Sequence, residues 1–272
     1  VSDLHRVEPG APILLSEVDA GKTPGIDDED RAREAIPDTV AQLADLQERL
    51  WVEAERSLLV VLQGMDTSGK GGTVEHVFQG LNPAGVDVTS FKQPTAQELR
   101  HHFLWRIRRR LPGPGQIMIF DRSHYEDVLV VRVKGLVPDA ILPTRYREIV
   151  RFEERVAALG VTILKFFLCI SYDEQRERLL ARLDEPLKRW KFREGDLETR
   201  ARWPEFVAAY EDAIRFSSTA SAPWYVIPAD HKWYRNWAVS RIVLETLREM
   251  DPQVPIPALD VEDLRRRLAP PN

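Results

Sequence analysis

Short apolar runs alternate with amphipathic stretches through most of the chain, and this alternation sets the expected elements. Leu58–Gln63 is apolar and β-branched, the mark of a strand buried on both faces. Val86–Phe91, Gln116–Asp121, Val161–Ile170 and Trp224–Pro228 are read as further strands, which makes five. Helical signals separate or follow them at Gly72–Phe78, at Ala96–Arg110 (Leu99, Phe103 and Ile107 on one face), at Pro143–Leu159 and at Trp237–Met250. Ahead of the first strand, Val40, Leu43, Leu46, Leu50 and Val52 recur at helical spacing. Pro37 suits a first helical turn, so a helix is expected over Pro37–Arg56. The alternation predicts an α/β fold, a five-stranded parallel sheet flanked by helices.

Two segments depart from that pattern. Residues 1–36 are rich in Pro, Gly and acids and read as an extended, poorly ordered arm. Residues 171–221 are charged and helical in character, and they are too long for a plain crossover between the fourth and fifth strands. They are expected to form a helical lid over the sheet's C-terminal edge, where open α/β sheets bind ligands. The resulting layout is an arm (1–36), one domain (37–255, with the lid at 171–221) and a tail (256–272).

Composition narrows the function. With 272 residues, 43% of them hydrophobic, the chain can bury a sizeable core. A lone cysteine, Cys169, excludes an intrachain disulfide and a Cys/His metal cluster. No apolar run is long enough to span a bilayer, and the start lacks a signal-peptide core, so the expectation is a cytoplasmic protein without a membrane partner. The net charge of −5 argues against a specific nucleic-acid binder. Yet seven cations face only three acids between Arg176 and Arg193. That island reads either as a site for a local anion or as a solvated, salt-bridged helix face.

The strongest motif follows the first strand: Gly64-Met65-Asp66-Thr67-Ser68-Gly69-Lys70-Gly71-Gly72-Thr73. Its Gly-x4-Gly-Lys spacing is that of a P-loop (Walker A). Glycines at 64, 69, 71 and 72 let backbone N–H groups, with Thr67, Ser68 and Thr73, wrap an anion at a helix N-terminus, and Lys70 adds a formal charge. The residue after the lysine is Gly71, so the hydroxyl that usually helps hold Mg²⁺ is missing. Asp66 can supply an oxygen ligand in its place, or it can stabilise the loop as an Asx turn. Ile117–Asp121 is an apolar strand ending in an acid, the Walker B pattern, and Arg122 follows it. Glu126 and Asp127 stand ready to bind a metal or shape an acceptor pocket, or to open a helix favourably. On the lid, Arg178 and Arg182 share a helix face, and Lys188, Arg189, Lys191 and Arg193 follow. Together they suit a ligand with more phosphates than one nucleotide carries. Trp233, Trp237 and Tyr234 are read as packing rather than stacking on a base.

Taken together, Gly64–Thr73, Pro94-Thr95 with Glu98, Leu104-Trp105-Arg106, Asp121–Asp127, Lys188–Phe192 and Trp233–Trp237 resemble the polyphosphate kinase 2 family, from about Leu43 to Leu247. The resemblance implies a thymidylate-kinase-like P-loop fold with a helical lid and a homodimer or homotetramer (a dimer of dimers). It also implies Mg²⁺ (or Mn²⁺), inorganic polyphosphate as donor and AMP or ADP as acceptor, forming ADP or ATP. It places Asp66, Lys70, Asp121 and Arg122 at the centre, with Asp66, Asp121 and Asp127 toward metal. Arg178, Arg182, Lys188, Arg189 and Arg193 fall along the donor, and Thr95, Arg106, Glu126, Asp127 and Arg132 around the acceptor. The run His124–Val133 resembles the subgroup that accepts both mono- and diphosphates. Asp121 departs from the asparagine common there in that subgroup.

An acceptor phosphate oxygen is already ionised at neutral pH, so the reaction needs no general base. That is why His124 is read as structural. An ATP-dependent P-loop nucleoside or nucleotide kinase shares most of these motifs and would ignore polyphosphate. A non-catalytic polyphosphate or nucleic-acid binder would use the same basic surface without turnover.

Overall fold

The computed structural model describes residues 1–268. Its sheet contains β1 (Arg6–Val7), β2 (Ser57–Gln63), β3 (Val86–Ser90), β4 (Ile117–Asp121), β5 (Val161–Cys169) and β6 (Trp224–Pro228), in the spatial order β1-β6-β5-β2-β4-β3. β2 to β6 run parallel, and β1 joins β6 antiparallel through the pairs Arg6–Tyr225 and Val7–Trp224. The helices are α1 (Ser2–His5), α2 (Glu29–Glu53), α3 (Lys70–Val77), α4 (Trp105–Arg108), α5 (Glu126–Val133), α6 (Leu142–Ala158), α7 (Tyr172–Asp184), α8 (Glu194–Ala201), α9 (Trp203–Ser217), α10 (Lys232–Met250) and α11 (Val261–Leu268). Of the tail 256–272, residues 269–272 lie outside the described residues. Among the described residues no helix is long and apolar enough to cross a membrane.

The sheet has six strands, not five, because the arm supplies one. The arm is not a loose leader. His5 is buried, its Nδ1 against Val226 O at 3.1 Å and its Nε2 against the Tyr234 hydroxyl at 2.8 Å. Ser2 donates to Glu245 on α10, and Leu15 N donates to Glu211 at 2.8 Å. Too few apolar residues mark this segment for periodicity to detect it.

Two helices also differ from expectation. α2 begins at Glu29 rather than Pro37, because Asp28 caps it by accepting from Asp30 N at 2.8 Å and Arg31 N at 3.3 Å. Pro37 therefore lies inside the helix. The helix expected over Ala96–Arg110 is instead one 3-10 turn at Glu98–Arg100 and the four-residue α4. Thr95 and Glu98 cap each other reciprocally and close a single turn. Leu99 is 72% exposed while Ile107 is fully buried, so the two share no face. The segment expected to be lid splits in character as well. α9 buries Phe206, Ala209, Tyr210, Ala213 and Ile214 and belongs to the core.

The core holds a buried ion pair, Lys165 with Glu153. Lys165 sits in the middle of β5 with no exposed surface. Its Nζ donates to Glu153 Oε2 at 2.6 Å, Ser217 O at 2.7 Å and the Tyr125 hydroxyl at 2.9 Å. Glu153 Oε1 accepts from the Tyr125 hydroxyl at 2.8 Å and meets His124 Nε2 at 3.0 Å. This network ties α6 and α9 to the loop after β4, and His124 is thereby a structural residue. Glu153→Gln leaves Lys165 buried without a counter-charge and should cost about 3–5 kcal/mol, read as a lowered midpoint in urea denaturation.

Burial pushes the His5 imidazole down to about 4 from its ordinary 6.5. The unfolded chain then holds the extra proton between those values. Stability from this group is complete above pH 6.5 and falls as pH drops toward 4, by up to about 3 kcal/mol. The difference in thermal midpoint between wild type and His5→Gln should shrink over that window, and a pH-independent difference would contradict the assignment.

Candidate active site

Strand order and chain order together place the site. After β2 the chain moves toward β4 and β3, and after β4 it crosses to β5 and β6. The loops leaving β2 and β4 therefore diverge, and the crevice between their C-terminal ends is the switch point of the sheet. The register sets Leu62 beside Asp121, so the phosphate loop and the β4 carboxylate emerge side by side.

The loop's backbone is held from outside by side chains that bind its carbonyls. Lys70 Nζ donates to Gly64 O at 2.9 Å and to Met65 O at 3.2 Å. Gln175 donates to Asp66 O at 3.1 Å, Arg178 to Thr67 O at 2.9 Å, and Arg235 to Ser68 O at 3.4 Å. With five successive carbonyls engaged in this way, loop N–H groups other than Ser68 N, which donates to Met65 O at 3.1 Å, are left to face an anion. Thr67 holds φ 68° and Gly69 φ 99°, left-handed conformations that give the loop its curl. Gly69 O receives Thr73 N at 2.8 Å as α3 begins.

The charged groups interlock. Arg122, at φ 63°, turns the chain sharply after Asp121 and donates from Nη2 to Asp66 Oδ1 at 2.8 Å. Asp121 Oδ2 accepts from Ser90 Oγ at 3.1 Å, while its Oδ1 is buried without a partner. Glu126 accepts from Gln63 at 3.2 Å, and burial raises its pKa against the pull of Arg122. Burial also lowers the Lys70 pKa, with Arg122 adding to the effect. Gly64, Asp66, Arg122, Glu126, Lys134 and Tyr210 line a cavity of about 150 Å³, room for a phosphoryl group and not for a nucleoside.

Not every expected site residue joins this centre. Gly64–Thr73, Asp121, Arg122 and Glu126 do. Asp127, one step along α5, points elsewhere: Arg106 Nη2 stands 3.8 Å and Arg145 Nη1 3.9 Å from its carboxylate. It does not join Asp66 and Asp121, and no cluster of three or more metal-ligating side chains occurs among the described residues. Arg106 is buried on Phe91 and donates to Lys92 O at 2.7 Å. Thr95 is exposed in its capping turn. Arg132, six residues or roughly 9 Å of helix beyond Glu126, pairs with Asp212 at 2.6 Å. It lines a separate cavity of about 770 Å³ with Tyr146 and Phe216, which contains no phosphate-loop residue.

The basic segment divides as well. Arg178 does not face the cleft. Besides Thr67 O it binds Ala229 O at 2.7 Å, Asp230 O at 2.8 Å and Glu174 at 2.6 Å. Arg182 is half-buried against Asp196 at 3.3 Å. Lys188, Arg189, Lys191 and Arg193 are exposed. Sequence reasoning missed Arg235, Gln175 and Tyr210. Arg235 stands among the aromatics that open the helix after the last strand, at the sheet's C-terminal edge, and that position was its signal. Gln175 precedes Arg178 by three on one helix face. Tyr210 had no signal once α9 was read as lid.

This arrangement matches known proteins closely. A family model described as polyphosphate kinase 2 (PPK2) matches residues 26–255. An AMP/ADP-polyphosphate phosphotransferase of Meiothermus ruber is 52% identical over 254 residues, 93% of this chain and 95% of that one. An ADP-polyphosphate phosphotransferase of Rhodopseudomonas palustris is 39% identical over 262 residues, covering 92% and 91% of the two chains. The crystal structure of polyphosphate kinase 2 from Arthrobacter aurescens TC1 superposes with a TM-score of 0.95 at 43% identity, covering 98% of this chain and 95% of that one. Matched over most of its length by that family model, by those relatives and by that crystal structure, the chain belongs to the polyphosphate kinase 2 family.

Proposed function

We propose that the protein moves the terminal phosphoryl group of inorganic polyphosphate onto AMP and ADP, forming ADP and ATP, and that the transfer is reversible. The observation that carries this reading is the outward-held phosphate loop beside Asp121 and Arg122. It occurs in a chain 52% identical to a relative named for both acceptors. The exposed run Lys188, Arg189, Lys191 and Arg193 supports a donor with many phosphates. In the transfer, a terminal oxygen of the nucleotide's phosphate attacks the end phosphorus of the chain, and the bond to the penultimate phosphate breaks. The nucleotide gains one phosphoryl group and polyphosphate leaves one unit shorter.

The residues serve this by position and charge. Loop N–H groups and Lys70 cradle the moving phosphoryl. The ammonium must leave Gly64 O and Met65 O to reach a phosphate oxygen. Arg122, freed from Asp66, neutralises charge that builds on the equatorial oxygens. The buried, unpartnered Asp121 Oδ1 and the Asp66 carboxylate fit Mg²⁺, a hard cation that accepts few protein oxygens and fills its shell with water and phosphate. When bound, Mg²⁺ would supply positive charge that offsets the charge of the phosphates. Glu126 faces the acceptor side and sets the approach of the attacking phosphate.

Purified protein with Mg²⁺ and long-chain polyphosphate, offered AMP and ADP separately without ATP, should form ATP from both, and Lys70→Ala should be inactive. ATP from ADP alone would restrict the acceptor to diphosphates, and no product from either would reject the reading. Asp121→Ala should lower kcat by at least about 100-fold while the thermal midpoint stays within a few degrees. Near-normal turnover in that variant would remove Asp121 from the mechanism.

A further inference from the structure

Arg235 stands in the first turn of α10 and is 2% exposed. Its guanidinium lies behind the phosphate loop, donating to Ser68 O at 3.4 Å and to Asn236 Oδ1 at 2.8 and 3.1 Å. The approach is close. A Cβ on Gly69 would sit 1.7 Å from Nη1, and one on Gly72 would sit 3.2 Å from Nη2. Gly69 is thus required twice, by its backbone angle and by this contact.

The charge has no answer nearby. Among the described residues no carboxylate pairs with Arg235, and the charged group that acts on it is Arg178, another cation. Burial, with Arg178 adding to it, pushes the Arg235 pKa down to about 10, so the group stays charged at neutral pH. The N-terminus of α3, where Gly69 is the cap, adds partial positive charge at the same place. Arg178 is partly neutralised by Glu174. Arg235 is left as a buried, unpaired cation, which destabilises a free protein. An anion seated in the loop removes that penalty, and one carrying several charges removes more of it.

We infer that Arg235 is a positioning residue for the phosphoryl donor. It fixes the Ser68 carbonyl from behind and supplies through the loop an uncompensated positive charge, matched to a condensed, multiply charged phosphate. The inference rests on the polyphosphate reading above. It implies no contact between Arg235 and the donor, and it distinguishes donor from acceptor, because Arg235 acts on the loop, at Ser68 and Gly69, and on no group assigned to the acceptor.

The test uses the full chain with Arg235→Gln and Arg235→Lys. Arg235→Gln should raise the KM for polyphosphate by about tenfold or more and leave the KM for ADP within about twofold. It should also flatten the dependence of the polyphosphate KM on added salt. The unliganded thermal midpoint should not fall, whereas the upward shift given by saturating polyphosphate should shrink. Arg235→Lys, which keeps charge but not the forked geometry, should recover most of the donor KM. A purely structural strut predicts otherwise: a lowered unliganded midpoint and a reduced kcat, an unchanged donor KM, and Lys no better than Gln. That pattern would overturn the assignment. If Arg235→Gln fails to fold, the Lys variant decides alone, and a tenfold or greater rise in its donor KM overturns the charge argument. Wild-type protein that never uses polyphosphate would remove the functional reading and this inference with it.

Discussion

The structure depends on the orientation of one short stretch of backbone. A peptide presents a donor and an acceptor on opposite sides, so a loop can offer N–H groups to an anion only if something accounts for its carbonyls. Here Lys70, Gln175, Arg178 and Arg235 do so from four positions in the sequence. Three of those residues lie more than a hundred positions away from the loop. The parallel sheet, the crossing to β5 and the return through α10 are what bring them to it.

The same logic extends to the second loop of the site. Arg122 is held in a left-handed conformation that isolated chains seldom adopt. Directly after it, Ser123, His124 and Tyr125 are fully buried, and the last two hang from Glu153. Lys165 then links Glu153 to the centre of β5. The strain at Arg122 is therefore balanced by a charged network in the core, and the geometry of the cleft is fixed from beneath as well as from the rim.

Much of this was legible in the sequence. The five parallel strands stand within a residue or so of where they were expected, and four of them, β2, β4, β5 and β6, are buried strands that write themselves as continuous hydrophobic stretches, while the edge strand β3 is largely exposed. The loop was legible because glycine spacing and Lys70 are local features. Illegible features depend on distant partners. The pairing of Val7 with Trp224 leaves almost no mark in two residues. Glu126 and Asp127 look equivalent in sequence, and only the helix rotation between them sends one to Arg122 and the other to Arg106. Arg178 looked like a ligand-facing cation because charge in a basic run says nothing about direction. The helix Ala96–Arg110 failed because Thr95 and Glu98 satisfy each other and end the turn that they begin.

The hold of α7 on the loop has a mechanical consequence. Gln175 and Arg178 anchor the first turns of that helix to Asp66 and Thr67, so these turns cannot swing without disturbing the phosphate cradle. Any hinge must lie further along, where Glu185, extended ahead of Pro186, ends the helix before a 3-10 turn. The segment beyond such a hinge is then short. It carries the exposed Leu187 and Trp190 with the four exposed cations of that stretch, and it begins only a few residues from the turns that brace the loop.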